Sequence, residues 1–329
     1  YFAEKLKLWT GMFLMFYCVT HYLNHSIGIF GLDAVEYIRN IFLFFWRNPF
    51  MNFFLPSVAV IHIYLSLSRV IRLASFRGFK SHEWFQLIAG ILTVPALALH
   101  VSGTKIAHVF YGINDTYTFL SSSIADYTDI VIFNLLMLLV WMHGYIGVKY
   151  WMKVNSKYQS YQNKMGMFFF LLPILSFVGV ISMFRESNLN LLIDPKYKEK
   201  VFNSSNPENV NLDKLTEDTI MYFVIPYLFL IIILFTGRFI FFKIKRRNNS
   251  IQISYPEGII SKIFPGMSIL EASIDAGIPH AHVCGGRGRC STCRIRVDKG
   301  LDQLEPPRQK ERRVLRGIGA PENVRLACQ

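Results

Sequence analysis

The chain has 329 residues, 52% of them hydrophobic with 29 Phe, and a formal charge of +13. That length exceeds one simple core, and that apolarity excludes an ordinary soluble enzyme. No nucleic-acid motif accompanies the charge; Lys and Arg gather at the ends of apolar stretches, as membrane topology requires.

The chain starts at Tyr1 with no visible signal peptide and stops one residue after its last Cys, so further sequence is expected downstream. Six apolar stretches of about 20 residues, near 8–30, 50–72, 84–107, 129–151, 165–184 and 219–242, each have the length of a bilayer-spanning helix. The second opens at Asn48-Pro49, a helix-start signal. The reading is an all-α six-helix transmembrane bundle over residues 1–247. Arg69, Arg72, Arg77 and Lys80 follow the second span, Lys149, Lys153, Lys157 and Lys164 the fourth, and Lys243, Lys245, Arg246 and Arg247 the sixth. These three connections are assigned to the cytoplasm, together with the N-terminal Lys5 and Lys7. In the connection 185–218 seven acids offset Arg185 and four Lys. An even number of spans puts both termini in the cytoplasm.

Four histidines fall inside the first four spans: His21, His62, His100 and His143, separated by 41, 38 and 43 residues. Because successive helices run in opposite directions, His21 and His100 reach the outer half of the bilayer and His62 and His143 the inner half. Two pairs at two depths are what two stacked bis-histidine haem b groups need, since neutral imidazole offers iron a nitrogen lone pair in a low-dielectric site. A buried His bonded to a neighbouring helix is the competing reading for each alone. His25, one turn beyond His21, remains the alternative ligand to it. Gly11 and Gly90 each stand ten residues before His21 and His100, a shared offset that favours His21. Lys105 and His108 are candidate contacts for haem propionates or ordinary interfacial residues. His82-Glu83-Trp84 is a candidate quinone-pocket lining, although Trp is common at interfaces anyway. Cys18, in the first span, reads as a small core residue.

From residue 248 to 329 the composition turns to Gly, Pro and charge. Ile251–Tyr255 and Ile259–Phe264 read as a hairpin, Ser268-x-x-Glu271 as a capping box opening a short helix that Gly277 ends, Arg294–Val297 as a strand, Pro307–Gly317 as a helix and Val324–Cys328 as a final strand. That order predicts a small α+β domain of β-grasp type. Cys284, Cys290 and Cys293 are spaced Cys-x5-Cys-x2-Cys, with Cys328 35 positions later. Four thiolates, two per iron, suit a [2Fe–2S] cluster; a four-cysteine zinc site is the alternative. Three glycines in Gly285-Gly286-Arg287-Gly288-Arg289 let the backbone curl round such a cluster, and the two arginines would offset its charge or stay solvated.

The first four spans, through Thr10-Gly11 to His21, His62, His100-Val101-Ser102-Gly103-Thr104-Lys105-Ile106-Ala107 and His143-Gly144, resemble the diheme cytochrome b anchor of succinate dehydrogenase and fumarate reductase. That resemblance implies haem ligation by these histidines and quinone or quinol as electron partner. The spacing and Cys290-Ser291-Thr292-Cys293 resemble the adrenodoxin-type [2Fe–2S] ferredoxins. Thr20-His21-Tyr22-Leu23-Asn24-His25, Trp46-Arg47-Asn48-Pro49, Gly112-Ile113-Asn114-Asp115-Thr116-Tyr117, Cys284-Gly285-Gly286-Arg287 and Val324-Arg325-Leu326-Ala327-Cys328-Gln329 make the whole chain similar to the non-catalytic N-terminal part of certain bacterial class III adenylate cyclases. This resemblance implies a redox-sensing anchor in the bacterial inner membrane, a homodimer, and a downstream cyclase domain making cyclic AMP and diphosphate from ATP. No cyclase catalytic residue is found here. The alternative expectation is an electron-transfer subunit of a membrane quinone oxidoreductase. No Gly-x-Gly-x-x-Gly opens a helix after a strand, so flavin or nicotinamide would come with a partner.

Overall fold

The computed structural model describes residues 2–73, 76, 79–122, 127–154, 158, 160–204, 212–248, 251–264 and 266–329. Arg77 and Lys157 of the charge pattern, and Asn249 and Ser250 at the junction, lie outside the described residues.

Helices dominate as far as residue 248: α1 (Phe2–Ile27), α2 (Leu32–Trp46), α3 (Pro49–Arg72), α4 (Ser81–Val101), α5 (Tyr117–Ser122), α6 (Tyr127–Val154), α7 (Gln162–Ile193), α8 (Pro195–Ser204), α9 (Leu212–Thr219) and α10 (Ile225–Asn248). A wide turn at Ser102–Ile106 carries α4 on to Tyr111, and another at Ile220–Val224 joins α9 to α10. Asn48 caps α3 by accepting a hydrogen bond from Met51 N, with Pro49 in the first turn where its missing N–H costs nothing.

Among the described residues five helices are long and apolar enough to cross a bilayer: Pro49–Arg72, Ser81–Tyr111, Ile130–Lys153, Met165–Ile193 and Leu212–Arg247. Their outer faces carry exposed Phe53, Phe170 and Phe229, which marks a membrane-associated protein. The expected first span, α1, is not in this set. It is long enough, about 39 Å, but Glu4, Lys5, Lys7, His21, Asn24 and His25 hold its apolarity down. Nothing in the sequence pattern hinted at α2, which turns off after Gly31 at φ 102° and lies beside α5.

The core joins α1, α6 and α7. Tyr22 stacks on Trp141 with centroids 4.8 Å apart and donates to Met137 O, while Trp141 Nε1 donates to Phe169 O. Gly179 lets α7 press on α1: a side chain there would fall 2.0 Å from His25 O.

In the C-terminal region β1 (Ile251–Ser254) pairs antiparallel with β2 (Ile260–Ile263), and β3 (Arg294–Arg296) with β4 (Val324–Leu326). Helices α11 (Ile269–Asp275) and α12 (Gln309–Gly317) complete it. The capping box forms as read, Ser268 accepting from Glu271 N and Glu271 from Ser268 N. The strands make two separate two-stranded sheets rather than one. The region is therefore a small α+β unit, without the single sheet of a β-grasp among the described residues. Its core is Leu270, Cys293, Leu315, Leu326 and Ala327.

This region sits against one side of the helices. Lys310 pairs with Glu4 at 2.5 Å, Arg246 with Asp275 at 2.5 Å, and Phe242 packs on Phe264. The start of α1, the start of α4 and the ends of α6 and α10 thus share this near side.

Candidate functional site

Three clusters carry chemistry: a cysteine loop, a near-side histidine pair and a far-side histidine group.

The cysteine loop is shaped by Gly285, Gly286 and Gly288, at φ 61°, 71° and 57°, where a side chain would be strained. Cys284 and Cys293 are fully buried. The thiols come in pairs. Cys293 Sγ lies 3.3 Å from Cys328 Sγ, and Cys284 hydrogen-bonds Cys290. The Cys293 donation pulls the Cys328 thiol down to about 6 and pushes Cys293 up. Burial raises Cys290, but bonds from the Thr292 side chain and backbone outweigh it and leave that thiol lowered. Backbone bonds from Ala327 N to Cys293 O and from Leu270 N to Ala327 O hold β4 and Cys328 in place. Glu311, fully buried, pairs with Arg325 at 2.8 Å and accepts from Leu326 N, clamping the same strand. Sequence reasoning passed over Thr292, which accepts from Val283 N, and His280, which bridges Ser273 Oγ and Cys293 O. The Val283 and Cys293 contacts span nine and thirteen residues, which the cysteine spacing does not reveal.

The near-side pair is His62 on α3 and His143 on α6. His62 Nδ1 lies 3.1 Å from Thr10 Oγ1, whose own proton goes to Leu6 O or Lys7 O. Thr10 therefore accepts from His62 Nδ1–H. His143 Nδ1 donates to Gln86 O at 2.9 Å. Both rings are held in the tautomer that leaves Nε2 unprotonated, the form that binds iron. Gly11 and Gly90 face these rings: a side chain would fall 2.9 Å from His62 Cε1 and 2.7 Å from His143 Cε1. The glycines that the sequence reading tied to His21 and His100 on their own helices make room for imidazoles of the neighbouring ones.

The far-side group is His21, His25 and His100. His21 and His100 have ring centroids 6.1 Å apart, and His25 Nε2 lies 3.1 Å from His21 Nε2. His100 Nδ1 is buried without a partner among the described residues. Either His21 or His25 reaches the space beside it. Of the expected outer contacts, Lys105 bonds Asn52 Oδ1 at 2.8 Å and His108 bonds Ile113 O at 2.7 Å. The sequence pattern did not single out Asp115, only 3% exposed, as an ion-pair centre; it accepts from Arg39 at 2.8 Å and pairs with Arg47. Trp84, of the candidate quinone lining, packs on Phe76 and Phe79. Among the described residues no three His, Cys, Asp or Glu side chains converge on one metal-ion position.

The cysteine loop meets the near-side pair. Tyr150, two turns beyond His143, donates to Val283 O at 3.1 Å, and the Arg287 guanidinium lies 3.8 Å over the Tyr150 ring.

Residues 256–329 match the family model of the 2Fe-2S iron-sulfur cluster binding domain. Relatives include the 2Fe-2S ferredoxins of Pseudomonas aeruginosa, 37% identical over 75 residues, and of Haemophilus influenzae, 33% identical over 75; each match covers 22% of this chain and 67% or 66% of the ferredoxin. A subunit of the Na(+)-translocating NADH-quinone reductase of Chlamydia felis is 29% identical over 79 residues, 24% of this chain and 18% of that protein. The chain thus spans about two thirds of the ferredoxins and under a fifth of the reductase subunit. No solved structure matches significantly.

Proposed function

We infer, from the membership of residues 256–329 in the 2Fe–2S ferredoxin family, that the whole chain is a membrane electron-transfer protein whose helices hold two haem b groups. The C-terminal region supplies the [2Fe–2S] electron-transfer domain. Cys284 and Cys290 hold one iron, and Cys293 and Cys328 the other. In the helices His62 and His143 take the inner haem, and His100 with His21 or His25 the outer one. A haem bound at each site supplies one-electron storage. The residues fit it: two imidazoles carry a fixed free Nε2, and a third, His100, has a buried Nδ1 with no partner among the described residues. The observation that carries the reading is the docked cysteine loop, seated by Tyr150 and Arg287 at the near end of the helices bearing that pair. Quinone or quinol is the membrane partner, as the likeness to an NADH-quinone reductase subunit supports. This face is assigned to the cytoplasm of a bacterial cell, a reading that the near-side Lys and Arg support.

A second reading, a redox-sensing anchor for an adenylate cyclase domain, has its own support. The segments that resemble cyclase anchors, around Arg47 and Asp115, pair in space. Cyclic AMP formation by the full gene product, assayed oxidised and reduced, decides it; equal rates remove it.

Purified in lipid discs, the chain should show low-spin b-type optical and paramagnetic-resonance signals and a reduced [2Fe–2S] signal. His62→Ala and His143→Ala should each abolish one haem's absorption, and Cys293→Ser the cluster signal. Full b-type absorption in both histidine variants would end the haem reading.

A further inference from the structure

Between the near-side histidines and the cysteine loop lies a layer of polar side chains, built by helical repeat. Arg69 stands seven residues after His62 on α3, and Tyr150 seven after His143 on α6, so each lies about 10 Å nearer the cysteine loop on its ligand's own face. Lys7 stands three and four residues before Thr10 and Gly11 on α1, the residues touching the His62 ring. Glu83 stands three before Gln86 on α4, the residue bonded to His143. The loop packs on this layer: a side chain on Gly285 would lie 3.1 Å from Tyr150 Oη and 3.2 Å from Glu83 Oε1, and Arg287 lies over the Tyr150 ring.

The charge here is unbalanced. Lys7, Arg69 and Arg287 are close enough to repel one another, with Arg289 adding to the positive charge; Glu4 and Glu83 offset it in part, and Lys7 is felt at His62. Of the two nearby acids, Glu4 is engaged by Lys310 and Glu83 caps α4 through Lys80 N. Among the described residues neither Lys7 nor Arg69 has a carboxylate at ion-pairing distance. Three cations held together in a partly desolvated space call for an anion.

We propose that Lys7, Arg69 and Arg287 form a carboxylate-binding site shared by the two regions, which grips the propionates of the haem between His62 and His143. It rests on the haem reading above. Arg287 belongs to the turn that wraps the cluster and stacks on the helix that bears His143, so one residue ties both redox sites to one geometry. The guanidinium fork matches a carboxylate, and Lys7 adds a point charge. Cations beside the propionates disfavour the ferric, more positive haem and so raise its potential.

The test is a redox titration of the full chain in discs of neutral lipid and, separately, of anionic lipid, for wild type, Lys7→Gln, Arg69→Gln, Arg287→Gln and Arg287→Lys. Expected is a negative shift of one haem's midpoint in the three Gln variants, in both lipids, with the other haem unmoved. Arg287→Lys keeps the charge and should recover most of the wild-type midpoint. Arg287→Gln should also slow cluster-to-haem electron passage by about tenfold, the docked population that one desolvated cation–π contact sets. No shift, equal shifts of both haems, or a shift in anionic lipid alone, which assigns the cations to headgroups, each overturns the proposal. Loss of b-type absorption in His62→Ala checks the haem reading separately.

Discussion

The near-side and far-side histidines solve one problem in opposite ways. His62 and His143 are each tied at Nδ1, by Thr10 and Gln86, and each ring rests on a glycine of the next helix. His21, His25 and His100 instead contact one another, and a nitrogen of His100 has no partner among the described residues. The near side has one candidate ligand per helix with its proton fixed. The far side has a spare imidazole and looser orientation. Preorganisation of metal ligands comes from such outer bonds, so, if these histidines hold haem as proposed, the near site would be stiff and the far site would tolerate change.

The largest effect that would break this contrast is redundancy itself. His21→Ala and His25→Ala, made singly, should each keep the far-side haem, because the other imidazole stands one turn away. Made together they should lose it completely, halving the low-spin b-type absorption. If His21→Ala alone removes one haem, His25 is no substitute and the far side is as strictly built as the near side. A smaller effect sharpens the near side. Gly90→Ala places a methyl 2.7 Å from the His143 ring, and overpacking at a tight contact costs ~1–3 kcal/mol. A lowered melting temperature together with reduced haem content checks it. Gly103→Ala, which meets nothing within 4 Å, is the control.

How legible these sites were differs for physical reasons. The hairpin at Ile251–Ile263 and the Ser268 capping box were readable because each depends on neighbours in the chain. His280 and Glu311 were not, because their partners are set by tertiary folding. The glycines are the instructive case. Gly11 and Gly90 share a ten-residue offset from His21 and His100, and the pattern is real, but what they accommodate lies on α3 and α6. A small residue in a helix announces a close approach without saying by what. The apolar-run reading found five spans and read α1 as a sixth, whose His21, Asn24 and His25 face other helices. It missed α2, too short to cross a bilayer and packed on the far side with α5.

The smallest effect concerns the proton on His62. Thr10 spends its hydroxyl hydrogen on the carbonyls of its own helix, which leaves its oxygen able only to accept and so sets the imidazole tautomer. Thr10→Val keeps the shape and removes this acceptor; Nδ1–H is then left with the Lys7 carbonyl alone, and the proposed haem-facing orientation of the ring is held less firmly. Outer-bond losses of this kind weaken metal binding by about tenfold at the mild end. Haem retention during competition with apomyoglobin should fall by that factor for one haem only, and Thr10→Ser should restore it. Equal retention in Thr10→Val and wild type would mean that packing against Gly11 alone orients the ring, and the near side would then owe its stiffness to shape rather than to hydrogen bonding.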